Sequence, residues 1–168
     1  MITQFSESVS EVINFSKEEA NRLQNPYIEP EHLLLGLIRY NSGIAIQLLL
    51  ALNIDLDSLK TELEDYLRQK KDSSFDSDND LQFSETSSQI IKLSILEASF
   101  AQQRIANTEH ILLAILKEEN NVAAQILIQN GATYTKILSM LPSRPNINTL
   151  LATDNKDKDE DGTDDDFE

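Results

Sequence analysis

The side chains best suited to acid–base or metal chemistry are two histidines, and each directly follows a glutamate: Glu31-His32 and Glu109-His110. Both pairs open apolar runs, Leu33-Leu34-Leu35 and Ile111-Leu112-Leu113, which places them at helix starts. With no cysteine and no third histidine, a metal site built on them would rest on carboxylates alone. No Gly-x-Ser-x-Gly elbow occurs, which disposes of a Ser-His-Asp hydrolase. The sequence therefore assigns no catalytic residue and no metal ligand, and capping or packing is the role left to His32 and His110. Acids in a first helical turn are also favoured by the helix dipole, so Glu31 and Glu109 carry a structural reading beside any binding one. A further pattern lies at the C-terminal end. Asp157, Asp159, Asp161, Gly162 and Glu168 match positions 1, 3, 5, 6 and 12 of the calcium-loop motif. Asp164 stands where that motif has an apolar residue, and no helical apolar stripe flanks it, so the match reads as a by-product of an Asp-rich run.

The elements that must position the two Glu-His pairs are written twice. At an offset of 78 residues, Phe5-Ser6-Glu7 falls on Phe83-Ser84-Glu85, Glu19-Ala20 on Glu97-Ala98, Glu31-His32 on Glu109-His110, and Leu34-Leu35 on Leu112-Leu113, with no gap. Within each copy the apolar residues recur every three or four positions. The spacing predicts a first helix after Ser6 or Ser84 as N-cap, and a deeply buried second helix over 31–39 or 109–117. A third helix runs over 44–52 or 122–129 and closes at Asn53 or Gly131, residues that tolerate a left-handed backbone. The fourth covers 56–68 in one copy and begins at Tyr134 in the other, where Pro142 ends it. The expected fold is all-α: two four-helix units related by a pseudo-two-fold axis, about eight helices in all. The expected division is 1–70 for the first repeat, 71–82 for a Ser- and Asp-rich linker, 83–142 for the second repeat and 143–168 for an acidic, disordered tail.

Composition agrees with helices, at 40% hydrophobic residues with only 4 glycines and 4 prolines. A formal net charge of -15 excludes a general nucleic-acid binder, which needs clustered Lys and Arg, and favours basic or neutral partners. No apolar run approaches a membrane span and Met1 to Ser10 has no secretory pattern, so a soluble cytoplasmic protein without membrane partners is the expectation.

Two four-helix copies at this spacing, each with a Glu-His-Leu/Ile-Leu-Leu run at its second helix, resemble the Clp amino-terminal domain over about residues 1 to 142. Glu-His in both halves, with Glu-Ala before it, is similar to the ClpC branch. The resemblance implies a domain that sits on a hexameric AAA+ ATPase ring, binds adaptor proteins and marked substrates, and hands them to a peptidase ring. No Gly-x-x-x-x-Gly-Lys-Ser/Thr loop occurs in the chain, so it is expected to be no enzyme and to hold no cofactor. In ClpC relatives the Glu-His turn resembles a phosphoarginine pocket, which implies ligand contacts for Glu31, His32, Thr108, Glu109 and His110. A carboxylate accepts paired hydrogen bonds from a guanidinium-like group, and a helix start attracts the phosphate. The first copy departs from the second: Pro30 removes the hydroxyl and one N–H that Thr108 supplies, and Glu29 repels phosphate, so the second pocket is the better one. The seam between the copies implies an adaptor groove, for which Tyr27 and Tyr134 are candidates with core packing as their alternative. The rival readings are a stand-alone Clp-like regulatory interaction protein and a calcium-responsive helical sensor.

Overall fold

Ser6 and Ser84 each accept a hydrogen bond at 3.1 Å from the amide three residues on, Val9 N and Ser87 N. They thereby start α1 (Glu7–Arg22) and α5 (Glu85–Phe100), the first helices of the two copies. The computed structural model describes residues 4–72 and 81–141. The remaining helices pair off in the same way: α2 (Pro30–Tyr40) with α6 (Thr108–Lys117), α3 (Gly43–Ala51) with α7 (Val122–Gln129), and α4 (Leu56–Arg68) with α8 (Tyr134–Met140). Asn53 and Gly131 do adopt positive φ, 62° and 100°. So do Gln24 and Gln102, a second equivalent pair that the sequence did not flag, at 57° and 60° just past α1 and α5.

Helices α2 and α6 are the centre, buried from Pro30 to Leu37 and from Thr108 to Leu116. Around them the leucines and isoleucines of both halves form one continuous core. Helix α1 approaches α2 so closely that a Cβ on Gly36 would lie 2.5 Å from both Ser16 Oγ and the Val12 carbonyl oxygen. Ala114 holds that place in α6. Among the described residues, no single helix is long and apolar enough to cross a membrane.

The all-α expectation holds, with one addition: the halves exchange short extended segments. Strand β1 (Tyr27–Ile28) of the first half pairs in parallel with β2 (Gln82–Phe83) at the entry to the second, matching Ile28 with Phe83. The equivalent pair, Phe5 with Ala106, forms a parallel bridge. Ser84 N donates to Ile28 O at 3.1 Å, and Ser6 N to Ala106 O at 3.0 Å. Each half therefore begins on the other, an arrangement that periodicity within one copy does not reveal. Residues 73–80 of the expected linker, Pro142, the acidic tail and its calcium-like pattern lie outside the described residues.

Candidate functional site

The two Glu-His corners are built alike at the backbone. At the start of α2, Glu29 N donates to His32 Nδ1 at 2.8 Å; at the start of α6, Asn107 N donates to His110 Nδ1 at 2.9 Å. Each histidine thus satisfies an amide that the helix itself cannot reach. With Nδ1 accepting, the His32 proton sits on Nε2 and is donated to Asn25 Oδ1 at 2.8 Å, while Asn25 Nδ2 donates to Leu67 O at 2.9 Å. This chain ties α2 to the α1–β1 turn and to the end of α4. Burial pushes the His32 imidazole pKa down to about 4, so the ring is neutral in ordinary buffers.

The glutamates are where the corners diverge. A helix start would leave the Glu109 side chain exposed, yet both glutamates are buried, Glu31 at 3% exposure and Glu109 at 4%. The reason is tertiary: each corner is pressed against the third helix of the opposite half. Glu31 Oε2 accepts from Ala123 N at 2.9 Å and so caps α7. The equivalent amide of the first half, Ala45 N at the start of α3, is capped at 3.2 Å by Thr108 Oγ1 rather than by Glu109. Gly43, with φ +88°, makes room for this, since a Cβ there would stand 2.9 Å from Thr108 Oγ1. Pro30 has no hydroxyl with which to do the same, so the glutamate takes the cap in one direction and the threonine in the other. Glu109 Oε1 is left buried with no hydrogen-bond partner.

Burial raises the pKa of both carboxyls, and the causes that oppose it differ. For Glu31 the Ala123 amide, its own backbone amide and Lys70 favour the charged form, with Glu29 against it. For Glu109 only its own backbone amide does so. A cavity of about 100 Å³ lies over Glu109 and His110, walled by Ile44, Gln103 and Leu113. A larger one of about 240 Å³ beside the first corner touches Glu29, Asn25 and Lys70 but not Glu31. The structure thus brings Glu109 and His110 to one cavity edge and draws Thr108 and Glu31 away into the inter-half contacts. The amides of Thr108 and His110 are already bonded, to Asn107 Oδ1 at 3.1 Å and Asn107 O at 3.0 Å. Of the two tyrosines considered for the seam, Tyr27 is 50% exposed and Tyr134 is partly buried against the core with its hydroxyl on Glu97. The amides of Ala45 and Ala123 and the carboxamide of Asn25 had no signal in the linear pattern. Only their contacts with a corner from elsewhere in the chain give them a part.

The family model described as the Clp repeat (R) N-terminal domain matches residues 4–133. The negative regulator of genetic competence ClpC/MecB of Bacillus subtilis is 32% identical over 136 residues, which cover 81% of this chain and 16% of that protein. The chaperone protein ClpB of Oceanobacillus iheyensis is 32% identical over 136 residues, again 81% of this chain and 16% of the relative. The chain therefore spans about one sixth of the length of these curated relatives, and identity alone does not choose between their branches. Among solved structures, the N-terminal domain of the chaperone ClpD from Arabidopsis thaliana superposes with a TM-score of 0.64 at 22% identity. That match covers 83% of this chain and 96% of the other.

Proposed function

We propose, from the premise that this chain belongs to the Clp repeat N-terminal domain family, that it docks adaptors and marked substrates for an ATP-dependent Clp unfoldase, and that its second half takes a phosphoarginine mark through Glu109. The observation that carries the reading is the partnerless Oε1 of Glu109 beside a small cavity. A buried carboxylate oxygen without a donor costs about 1–3 kcal/mol, and an incoming guanidino N–H relieves that cost while contributing a charge-assisted bond. The cavity, at about 100 Å³, is well below the ~300–1,000 Å³ of pockets that swallow a whole ligand. Only the tip of a side chain enters, which suits a mark displayed on a protein. The attached phosphate is favoured by the N-terminal dipole of α6. Hexameric assembly, delivery to a peptidase ring and a cytoplasmic setting follow from the same family reading.

Free phosphoarginine added to the chain and followed by amide NMR tests this. Shifts are expected at Thr108 to His110, exceeding those at Glu31 and His32, and Glu109→Gln should remove them without altering the fold. An equal response to phosphoserine would reduce the site to general anion attraction and contradict the proposal.

A further inference from the structure

Leu56 and Tyr134 are the first residues of α4 and α8 and hold the same place in the two copies. Their surroundings differ. Tyr134 lies partly buried against the core, and its hydroxyl donates to the Glu97 carboxylate of α5, with oxygens at 2.8 and 3.0 Å. Lys117 Nζ, from the last turn of α6, stands 4.7 Å from the ring centroid. An acceptor for the hydroxyl and a cation over the face together satisfy a tyrosine removed from water. The first half keeps both charged partners. Glu19, buried on α1, holds the place of Glu97, and Arg39, in the last turn of α2, holds that of Lys117. What it lacks is the ring. Instead there is a groove of about 520 Å³, walled by Glu19, Leu35, Ile38, Arg39, Leu50 and Leu56. Leu50 is 52% exposed, an apolar side chain with nothing to cover it.

We propose that this groove is a docking site for a tyrosine side chain of a partner polypeptide, seated as Tyr134 is seated in the second half. It shares no residue with the helix-start corners and goes beyond the phosphoarginine reading. Glu19 has room for the hydroxyl. Its two oxygens accept from Arg22 Nη2 at 2.5 Å and Arg39 Nη1 at 3.1 Å, two of about four acceptor positions on a carboxylate. Arg39 stacks over Phe15, 4.6 Å from its centroid, and pairs with Glu18 and Glu19, which fixes its guanidinium at the groove wall. The groove volume falls within the ~300–1,000 Å³ typical of ligand pockets, and Asp55, Asp57 and Lys60 add charge of both signs for the backbone flanking the tyrosine. A carboxylate at the floor selects a hydroxyl donor over a phosphate or a second acid. Of the chain's own four tyrosines, Tyr40 bonds Ser8, Tyr66 lies under Lys70, Tyr134 bonds Glu97 and Tyr27 is half-exposed in β1, and none of them lines the groove. The occupant is therefore another polypeptide.

The test uses the whole chain and N-acetyl-tyrosine amide as probe, followed by amide NMR. Shifts are expected at Leu50, Leu56 and Asp57 with a Kd on the order of 1 mM. The phenylalanine analogue, lacking the hydroxyl, should bind about tenfold more weakly. Leu56→Tyr supplies the missing ring from within and should abolish the shifts. Leu50→Asp, at the exposed rim and clear of the core, provides a second variant and should also abolish them. No shift in the unsubstituted chain, equal binding of the phenylalanine analogue, or binding unchanged in the two variants would overturn the proposal. Phosphoarginine reads out at Thr108 to His110, so failure at one site is distinguishable from failure at the other.

Discussion

In the first half of the molecule the glutamate that opens the second helix caps a helix of the other half; in the second half its counterpart caps nothing. One residue decides the difference. Thr108 reaches Ala45 N at 3.2 Å and frees Glu109 from the task, whereas Pro30 cannot reach anything and leaves Ala123 N to Glu31 at 2.9 Å. At the far side of each half the roles invert, with Tyr134 closing over Glu97 while Leu56 leaves Glu19 and Arg39 at the wall of an open groove. Each half is closed where the other is open. A duplicated unit can thus keep one fold and carry two different sites, because a single side chain at a shared position sets which polar group is already satisfied.

Acid should act on the first corner with the largest effect, through His32. The His32 pKa falls from 6.5 to about 4 on folding, chiefly through burial. Below pH 6.5 the unfolded chain binds that proton and the folded chain does not, so stability is intact above this value and declines toward pH 4 by about 3 kcal/mol. Glu31 and Glu109 act in the opposite sense. Their raised pKa values let the folded state take up protons first, which recovers stability as the pH falls through them toward the ordinary 4.5. Denaturant melts across this range check the sum, and His32 ring signals check its source. A ring that titrates near 6.5 would remove the Glu29–His32–Asn25 chain from the account.

Next in size is the close approach that only the first half makes. Gly36→Ala drives a methyl to 2.5 Å from the Val12 carbonyl oxygen and should cost about 2 kcal/mol by overpacking. Ala114→Gly at the equivalent place should cost only about 1 kcal/mol, from helix propensity. Equal losses in denaturant melts would mean that the two helix pairs pack alike.

Much of this was legible beforehand because it is local or periodic. Ser6 and Ser84 as caps, Asn53 and Gly131 as left-handed closures, and the burial of α2 and α6 follow from neighbours in sequence. The family resemblance likewise rests on runs of adjacent residues, Glu31-His32 and Glu109-His110. What was not legible depends on contacts between halves. First-turn acids usually face water, and nothing adjacent to Glu31 or Glu109 says that α7 or α3 covers them. The strand exchange at Ile28 and Ala106 has the same cause, and so does the contrast between Tyr134 and Leu56, whose importance lies in the acid each one faces.

The smallest effect is also the most direct test of the divided duties: unfolding free energies of Glu31→Gln and Glu109→Gln measured side by side near neutral pH. Glu31→Gln should lose about 1 kcal/mol as a charge-assisted cap becomes a neutral one. Glu109→Gln should be neutral or stabilising by up to about 1 kcal/mol, because it removes a buried charge that only its own backbone amide supports and whose Oε1 has no partner. Equal destabilisation of the two variants would show that Glu109 is as fully engaged as Glu31, and the account of one closed and one open corner would fail.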